Sequence, residues 1–282
     1  MTELYGPPMW TARELVGRAD VLLMTFDTLR LDVANAALGR GLTPNLADVL
    51  PGGAQGGWEH RHTPGSFTYA AHHAFFAGFL PTPVPSLDPS SPRFPPHERL
   101  FAVDVPHSAS IGPGTAVFDE PNIVAGFARR GYHTACVGGV GFFDKRSPLG
   151  RVLPGLFAES HWNPRLGVDD PASPRHQIEA ALGILRRQPP QQRLFLFVNL
   201  SAMHPPNRIF APGAAEDSPA TMAAALAAVD RELPRLFAAL RRPSLCVLCA
   251  DHGTAYGENG LRGHRLAHPT VWDVPYAEFL LS

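Results

Sequence analysis

Lysine is almost missing from this chain. Lys145 is the single one in 282 residues, so any cation that meets an anionic ligand must be arginine, protonated histidine, a helix terminus or a bound metal. An excess of either charge is missing as well. A formal charge of −1, from 24 basic and 25 acidic residues, provides no electropositive field of the kind that tracks a nucleic-acid backbone or an anionic membrane. Cysteine is scarce, and Cys136, Cys246 and Cys249 all lie in apolar stretches, the setting of buried reduced thiols rather than of a disulfide or a zinc cluster. No apolar run approaches the length needed to cross a bilayer. The first twenty residues carry Glu3, Glu14 and Asp20 instead of the basic start and continuous apolar run of a secretory signal. These absences predict a cytoplasmic protein with neither nucleic-acid nor membrane partners.

What is present predicts a globular protein. Hydrophobic residues form 45% of the chain and charged residues 17%, a balance that buries a core and excludes wholesale disorder. One domain spanning residues 1–282 is expected, because large α/β sheets reach this length as a unit. Residues 21–26 (VLLMTF), 194–200 (LFLFVNL) and 245–250 (LCVLCA) are short continuous apolar runs, the pattern of strands buried on both faces. Residues 133–137 are a weaker strand candidate. Helical patterns cover 68–77, 122–130, 175–187 and 220–241, the last interrupted by Pro234, where a kink or break is expected. Strands spaced by helices predict an α/β three-layer sandwich around a mostly parallel central sheet. The proline- and glycine-rich residues 81–96 and 147–174 are expected to be long surface loops.

In open parallel sheets ligands gather at the carboxyl ends of the strands, and Asp27 and Asp251 each terminate an apolar run. Taken singly, either acid is as well explained as a helix cap. As a pair, with His252 directly after Asp251, they form an oxygen and nitrogen donor set suited to zinc or manganese. Gly253 is expected to let the chain turn sharply behind these ligands. Thr68 follows the turn-forming Thr63-Pro64-Gly65-Ser66 and opens a helical stretch. An ordinary N-cap explains that position by itself. As a nucleophile, its oxygen would be stabilised by the neighbouring cation, and the first amides of the helix would face a bound phosphate.

The order of these pieces resembles the sulfatase branch of the alkaline phosphatase superfamily. Residues 21–30 (VLLMTFDTLR) resemble its opening strand with a metal-binding acid, and Thr43-Pro44-Asn45-Leu46 resembles the motif that follows. Gly78-Phe79-Leu80-Pro81 resembles the end of the nucleophile helix, which places Thr68 where sulfatases carry the cysteine that becomes formylglycine. Gly131-Tyr132-His133-Thr134, His204-Pro205-Pro206 and Val229-Asp230 have counterparts in the same order. The strongest likeness is Ala250-Asp251-His252-Gly253, then residues 257–264 (GENGLRGH), then Val274-Pro275. The resemblance covers nearly the whole chain and implies an alkaline phosphatase/sulfatase-like fold, C-terminally short because the chain ends soon after Val274-Pro275.

The departures from the family pattern point away from sulfate. Thr68 cannot become formylglycine, Thr28 replaces a second metal-binding aspartate, Gly139 and Gly141 stand in the places of a lysine and a histidine that clamp sulfate, and His72 stands where an arginine follows the nucleophile. A threonine with aspartate and histidine ligands resembles instead the phosphatase, phosphodiesterase and lipoteichoic-acid-synthase-like members.

Most of the 13 histidines are incidental. His72 lies one helical turn after Thr68, on the same face, and is expected to touch the bound anion. His204 and His264 follow strands and match substrate-contact positions of the family. His268, four residues from His264, is the reserve ligand should a second ion be present, although an incidental role is the better explanation of it. His60, His62, His107, His161 and His176 have no positional argument.

The resulting expectation is a metal-dependent hydrolase or transferase of a small-molecule phosphate ester. Asp27, Thr68, Asp251 and His252 hold one divalent ion, zinc or manganese. Thr68 and His264 are catalytic, and His72 and His204 bind substrate. Two other readings stand beside it: a sulfuric-ester or phosphonate hydrolase, and a degenerate module that binds a phosphorylated ligand without cleaving it.

Overall fold

Seven strands form one sheet in the computed structural model, which describes residues 11–78, 100–101, 115–116 and 121–282. Phe79-Leu80-Pro81, the expected loop over 81–96 and His107 lie outside the described residues, as do residues 1–10. The strands are β1 (Asp20–Phe26), β2 (Glu59–His62), β3 (His133–Val137), β4 (Glu159–His161), β5 (Leu194–Leu200), β6 (Ser244–Ala250) and β7 (Asp273–Leu281). Their order across the sheet is β2-β7-β6-β1-β5-β3-β4. Strands β6, β1, β5, β3 and β4 pair in parallel, and β7 runs antiparallel to both β6 and β2. The three most apolar runs of the sequence occupy the middle, because only there are both faces of a strand covered.

Alternation along these strands fills two cores. Leu22, Met24 and Phe26 of β1 and Leu196, Val198 and Leu200 of β5 enter one apolar cluster, whereas Val21, Phe195 and Phe197 enter the other, as a period of two requires. The first core is roofed by α1 (Leu31–Gly39), α2 (Pro44–Val49), α5 (Ser173–Arg187), α6 (Pro219–Asp230) and α7 (Leu233–Ala239). The second packs under α3 (Thr68–Ala77) and α4 (Ile123–Arg129). The architecture is thus a three-layer α/β sandwich with a mostly parallel sheet, alkaline phosphatase/sulfatase-like. Each buried leucine or phenylalanine contributes roughly 1.5–3 kcal/mol of transfer free energy.

The helical stretch over 220–241 breaks as expected, at residues 231 and 232, just before Pro234. Pro234 sits in the first turn of α7, where no amide donor is required. Residues 147–174 are not one loop: they contain Pro148–Val152, the edge strand β4 and the turn Pro164–Leu166, and proline starts both helical pieces. Cys136, Cys246 and Cys249 are buried and free. No helix among the described residues is long and apolar enough to cross a membrane.

Two stretches that carried the family resemblance meet in space. The Asp230 carboxylate at the end of α6 accepts from the Leu46 amide at 2.7 Å and from the Asn45 side chain at 2.8 Å. An acid at the start of α2 suits the free amides and positive dipole end there, so this contact anchors α2 on α6.

Candidate metal centre

Strands β1 and β6 are neighbours with Phe26 opposite Ala250, so the next residue of each, Asp27 and Asp251, leaves the carboxyl edge of the sheet beside the other. Both side chains are fully buried. Thr28, in the place of the family's second acid, joins the two: its amide donates to Asp251 Oδ1 at 3.1 Å and its hydroxyl donates to Asp27 Oδ1 at 2.8 Å. Its φ of 67° is costly for a β-branched residue and persists because these bonds hold it.

One carboxylate oxygen each from Asp27 and Asp251 and one ring nitrogen of His252 lie within 4.8 Å of one another. The Gly253 carbonyl accepts a hydrogen bond from His252 Nδ1 at 2.8 Å. That bond fixes the proton on Nδ1 and leaves the Nε2 lone pair facing the acids, the orientation of a metal-binding imidazole. Thr68 brings its hydroxyl from the first turn of α3, 3.3 Å from His252 Nε2 and 3.5 Å from Asp27 Oδ2. The N-cap of this helix is Phe67, without a side-chain cap, and the Thr68 hydroxyl bonds to Asp27 and His252 instead.

The chemistry of this group fits a divalent cation. Asp251 Oδ2 is buried without a hydrogen-bond partner, at 3.6 Å from both His252 Nε2 and His72 Nδ1. Two ionised carboxylates side by side in a dry site are prohibitive without a compensating charge. Burial, and then the charge of Asp27, pushes Asp251 well above the usual carboxylate range. For Asp27, burial acts upward too. The imidazoles of His204 and His252, with hydrogen bonds from Thr28 and Asn199, outweigh it and hold that carboxyl low. A bound dication would let both acids stay ionised.

His264 and His204 adjoin the centre. The ring of His264 lies 4.7 Å from that of His252, and His204 lies 5.8 Å beyond it. Burial, followed by the neighbouring imidazoles of His252 and His204, pushes His264 down to about 3, so it is neutral at ordinary pH.

His72 is not where a substrate would meet it, which corrects the expectation that it touches the anion. It is fully buried. Its Nδ1 donates to the Thr68 carbonyl at 2.7 Å and its Nε2 faces the Thr25 hydroxyl at 3.0 Å. Both ring nitrogens are therefore used inside the protein, beneath Thr68. Gly253 also has a different reason to be glycine than the expected sharp turn. A Cβ there would fall 2.0 Å from the Thr270 carbonyl, so close backbone approach excludes any side chain. His268 accepts from the Thr270 amide as the cap of Pro269–Trp272, and is occupied as a structural group.

One contributor was missed. Asn199 of β5 donates to Asp27 Oδ2 and to Thr25 Oγ1, both at 3.1 Å. Its signal was in the sequence, as the one polar residue of LFLFVNL; a polar group in a fully buried run must have a partner.

Fold and donor group together are those of the alkaline phosphatase/sulfatase-like class of α/β proteins, and the buried acids and imidazole are consistent with a metal site. The sulfatase family matches residues 93–278, well over half of the chain, and the chain belongs to that family of enzymes. No curated protein sequence matches it. Among solved structures, the integral membrane lipooligosaccharide phosphoethanolamine transferase A of Neisseria meningitidis is 16% identical with a TM-score of 0.57, over 93% of this chain and 48% of the transferase. The chain thus spans about half the length of that protein. The C-terminal periplasmic domain of EcEptC from Escherichia coli, in complex with zinc, is 10% identical with a TM-score of 0.56, over 94% of this chain and 74% of that domain. The lipoteichoic acid synthase LtaP of Listeria monocytogenes is 12% identical with a TM-score of 0.57, over 92% of this chain and 65% of the synthase. At these identities the likeness is one of fold.

Proposed function

We propose that this protein transfers or hydrolyses a phosphate ester of a small molecule, using Thr68 as nucleophile beside a divalent ion held by Asp27, Asp251, His252 and the threonine oxygen. The observation that carries this reading is the place of the Thr68 hydroxyl. It stands at the N-terminus of α3, within 3.5 Å of both Asp27 Oδ2 and His252 Nε2. Zinc or manganese suits this mixed donor set, and the zinc complex of a similar fold supports the first.

When bound, such an ion supplies positive charge that lowers the pKa of a hydroxyl and neutralises phosphate oxygens. The chain's own residues do the rest. Thr68 gives its proton to solvent, and its oxygen attacks phosphorus in line. The bond from phosphorus to the ester oxygen breaks, the departing oxygen takes a proton from water, and phosphothreonine remains. Amides of the first turn of α3 meet the negative oxygens. His264, neutral and half-buried, donates a ring N–H to the charge that develops rather than acting as the proton source, and His204 flanks it. Water or an acceptor alcohol then takes the phosphoryl group from Thr68.

Threonine in place of an oxidisable cysteine favours phosphate over the sulfuric-ester alternative, since no aldehyde hydrate can form. The Thr68→Ala protein is expected to retain metal and to release no product from aryl phosphate mono- or diesters assayed beside aryl sulfate. Full activity in that variant removes threonine from the mechanism.

A further inference from the structure

A transferred phosphoryl group is an anion, and a cation beside the Thr68 hydroxyl is needed to meet it. Lys145, the single lysine, donates Nζ to the Ser160 carbonyl at 2.6 Å on the edge strand β4. Arg30 is committed to Asp32 at 2.7 Å and to Glu258 at 2.5 Å. Arg265 differs from both. Among the described residues no carboxylate pairs with it, and its backbone stands at φ 69°, a conformation that a long side chain adopts only where its surroundings impose it.

Those surroundings are the approach to Thr68. The Arg265 amide donates to the Ser66 carbonyl at 2.8 Å, and its guanidinium carbon lies 4.7 Å from the centroid of the Phe67 ring. Ser66 and Phe67 are the two residues that lead into Thr68. Arg265 is therefore fastened, through backbone and side chain, to the segment that presents the hydroxyl. On its other side it follows His264, whose ring packs on His252.

We propose that Arg265 is a substrate-binding residue of this site, its guanidinium donating to the non-bridging oxygens of the phosphoryl group that Thr68 receives. The planar fork matches two such oxygens at once, and the Phe67 ring holds it by a cation–π contact. The inference rests on the phosphoryl-transfer reading of the site and adds to it the anion's cationic partner.

The test compares manganese-loaded wild-type protein with Arg265→Gly and Arg265→Lys, reading kcat and KM for an aryl phosphate, inhibition by inorganic phosphate, and melting temperature. Glycine accepts the left-handed backbone without strain, so Arg265→Gly is expected to melt within a few degrees of wild type. Its kcat/KM should fall about 10- to 100-fold, with inorganic phosphate inhibiting more weakly to match, and Arg265→Lys should recover part of both. Unchanged kcat/KM and phosphate affinity in Arg265→Gly overturn the proposal. So does a loss that tracks a large fall in melting temperature and that lysine does not relieve. A wild-type protein that neither turns over the ester nor binds inorganic phosphate fails at an earlier point, and overturns the phosphoryl-transfer reading together with the role built on it.

Discussion

Asn199 is satisfied on every side: its carbonyl oxygen accepts from the Val140 amide at 3.3 Å, while its amide donates to Thr25 and Asp27. A ligand carboxylate is aimed by such a donor. Replacing it by leucine keeps an apolar strand but removes the Asn199 hydrogen bond from Asp27 Oδ2, leaving Asp27 held by Thr28 and Thr68 alone. Asn199→Leu is expected to weaken metal binding about 10- to 100-fold, read as the dissociation constant of added manganese or zinc; an unchanged constant would confine Asn199 to closing the sheet. The acids and the threonine were legible because each follows an apolar run or opens a helix, positions fixed by local pattern, and the imidazole because it stands directly after Asp251. The direction of His72 was not. Helical spacing put it on the face of Thr68, yet the same spacing allows a ring to turn inward to the carbonyl four residues before it, and only the packing of Phe143 and Phe197 around it decides between the two.

Strand β1 has an acid at each end, and they do different work. Asp20, at its start, is 1% exposed; it accepts from the Leu194 amide at 2.9 Å and from both arms of Arg241 at 2.7 and 3.0 Å. It thus locks β1 to β5 at the pole of the sheet opposite Asp27. Asp20→Ala strands a buried amide and a half-buried guanidinium, and is expected to cost about 2–3 kcal/mol. The urea midpoint should fall while metal affinity stays near wild type; a midpoint that does not move would contradict this. At the scale of elements the central strands were legible, since burial on both faces forces continuous apolar runs. Strands β2 and β7 were not. All four residues of β2 are exposed, so no apolar pattern marks it, and β7 contains Pro275 and Glu278, which interrupt alternation. The proline is tolerated in this antiparallel margin of the sheet, where β7 pairs with the exposed β2.

Across the whole molecule, the candidate centre ties together residues 27, 68 and 251, which come from β1, α3 and β6 and from distant parts of the chain. An ion shared by them binds the folded state and not the unfolded one, so it adds stability by mass action. The buried, unpartnered oxygen of Asp251 is consistent with a site that such an ion completes. Titration of chelator-treated protein with zinc or manganese, followed by calorimetry and by melting temperature, tests this most directly, with a double variant Asp27→Asn, Asp251→Asn as comparison. Wild-type protein is predicted to take up one ion per chain and to melt at a higher temperature as it does, and the double variant to take up none and show no such rise. Absence of uptake by the wild type, or equal uptake by the variant, would contradict the account.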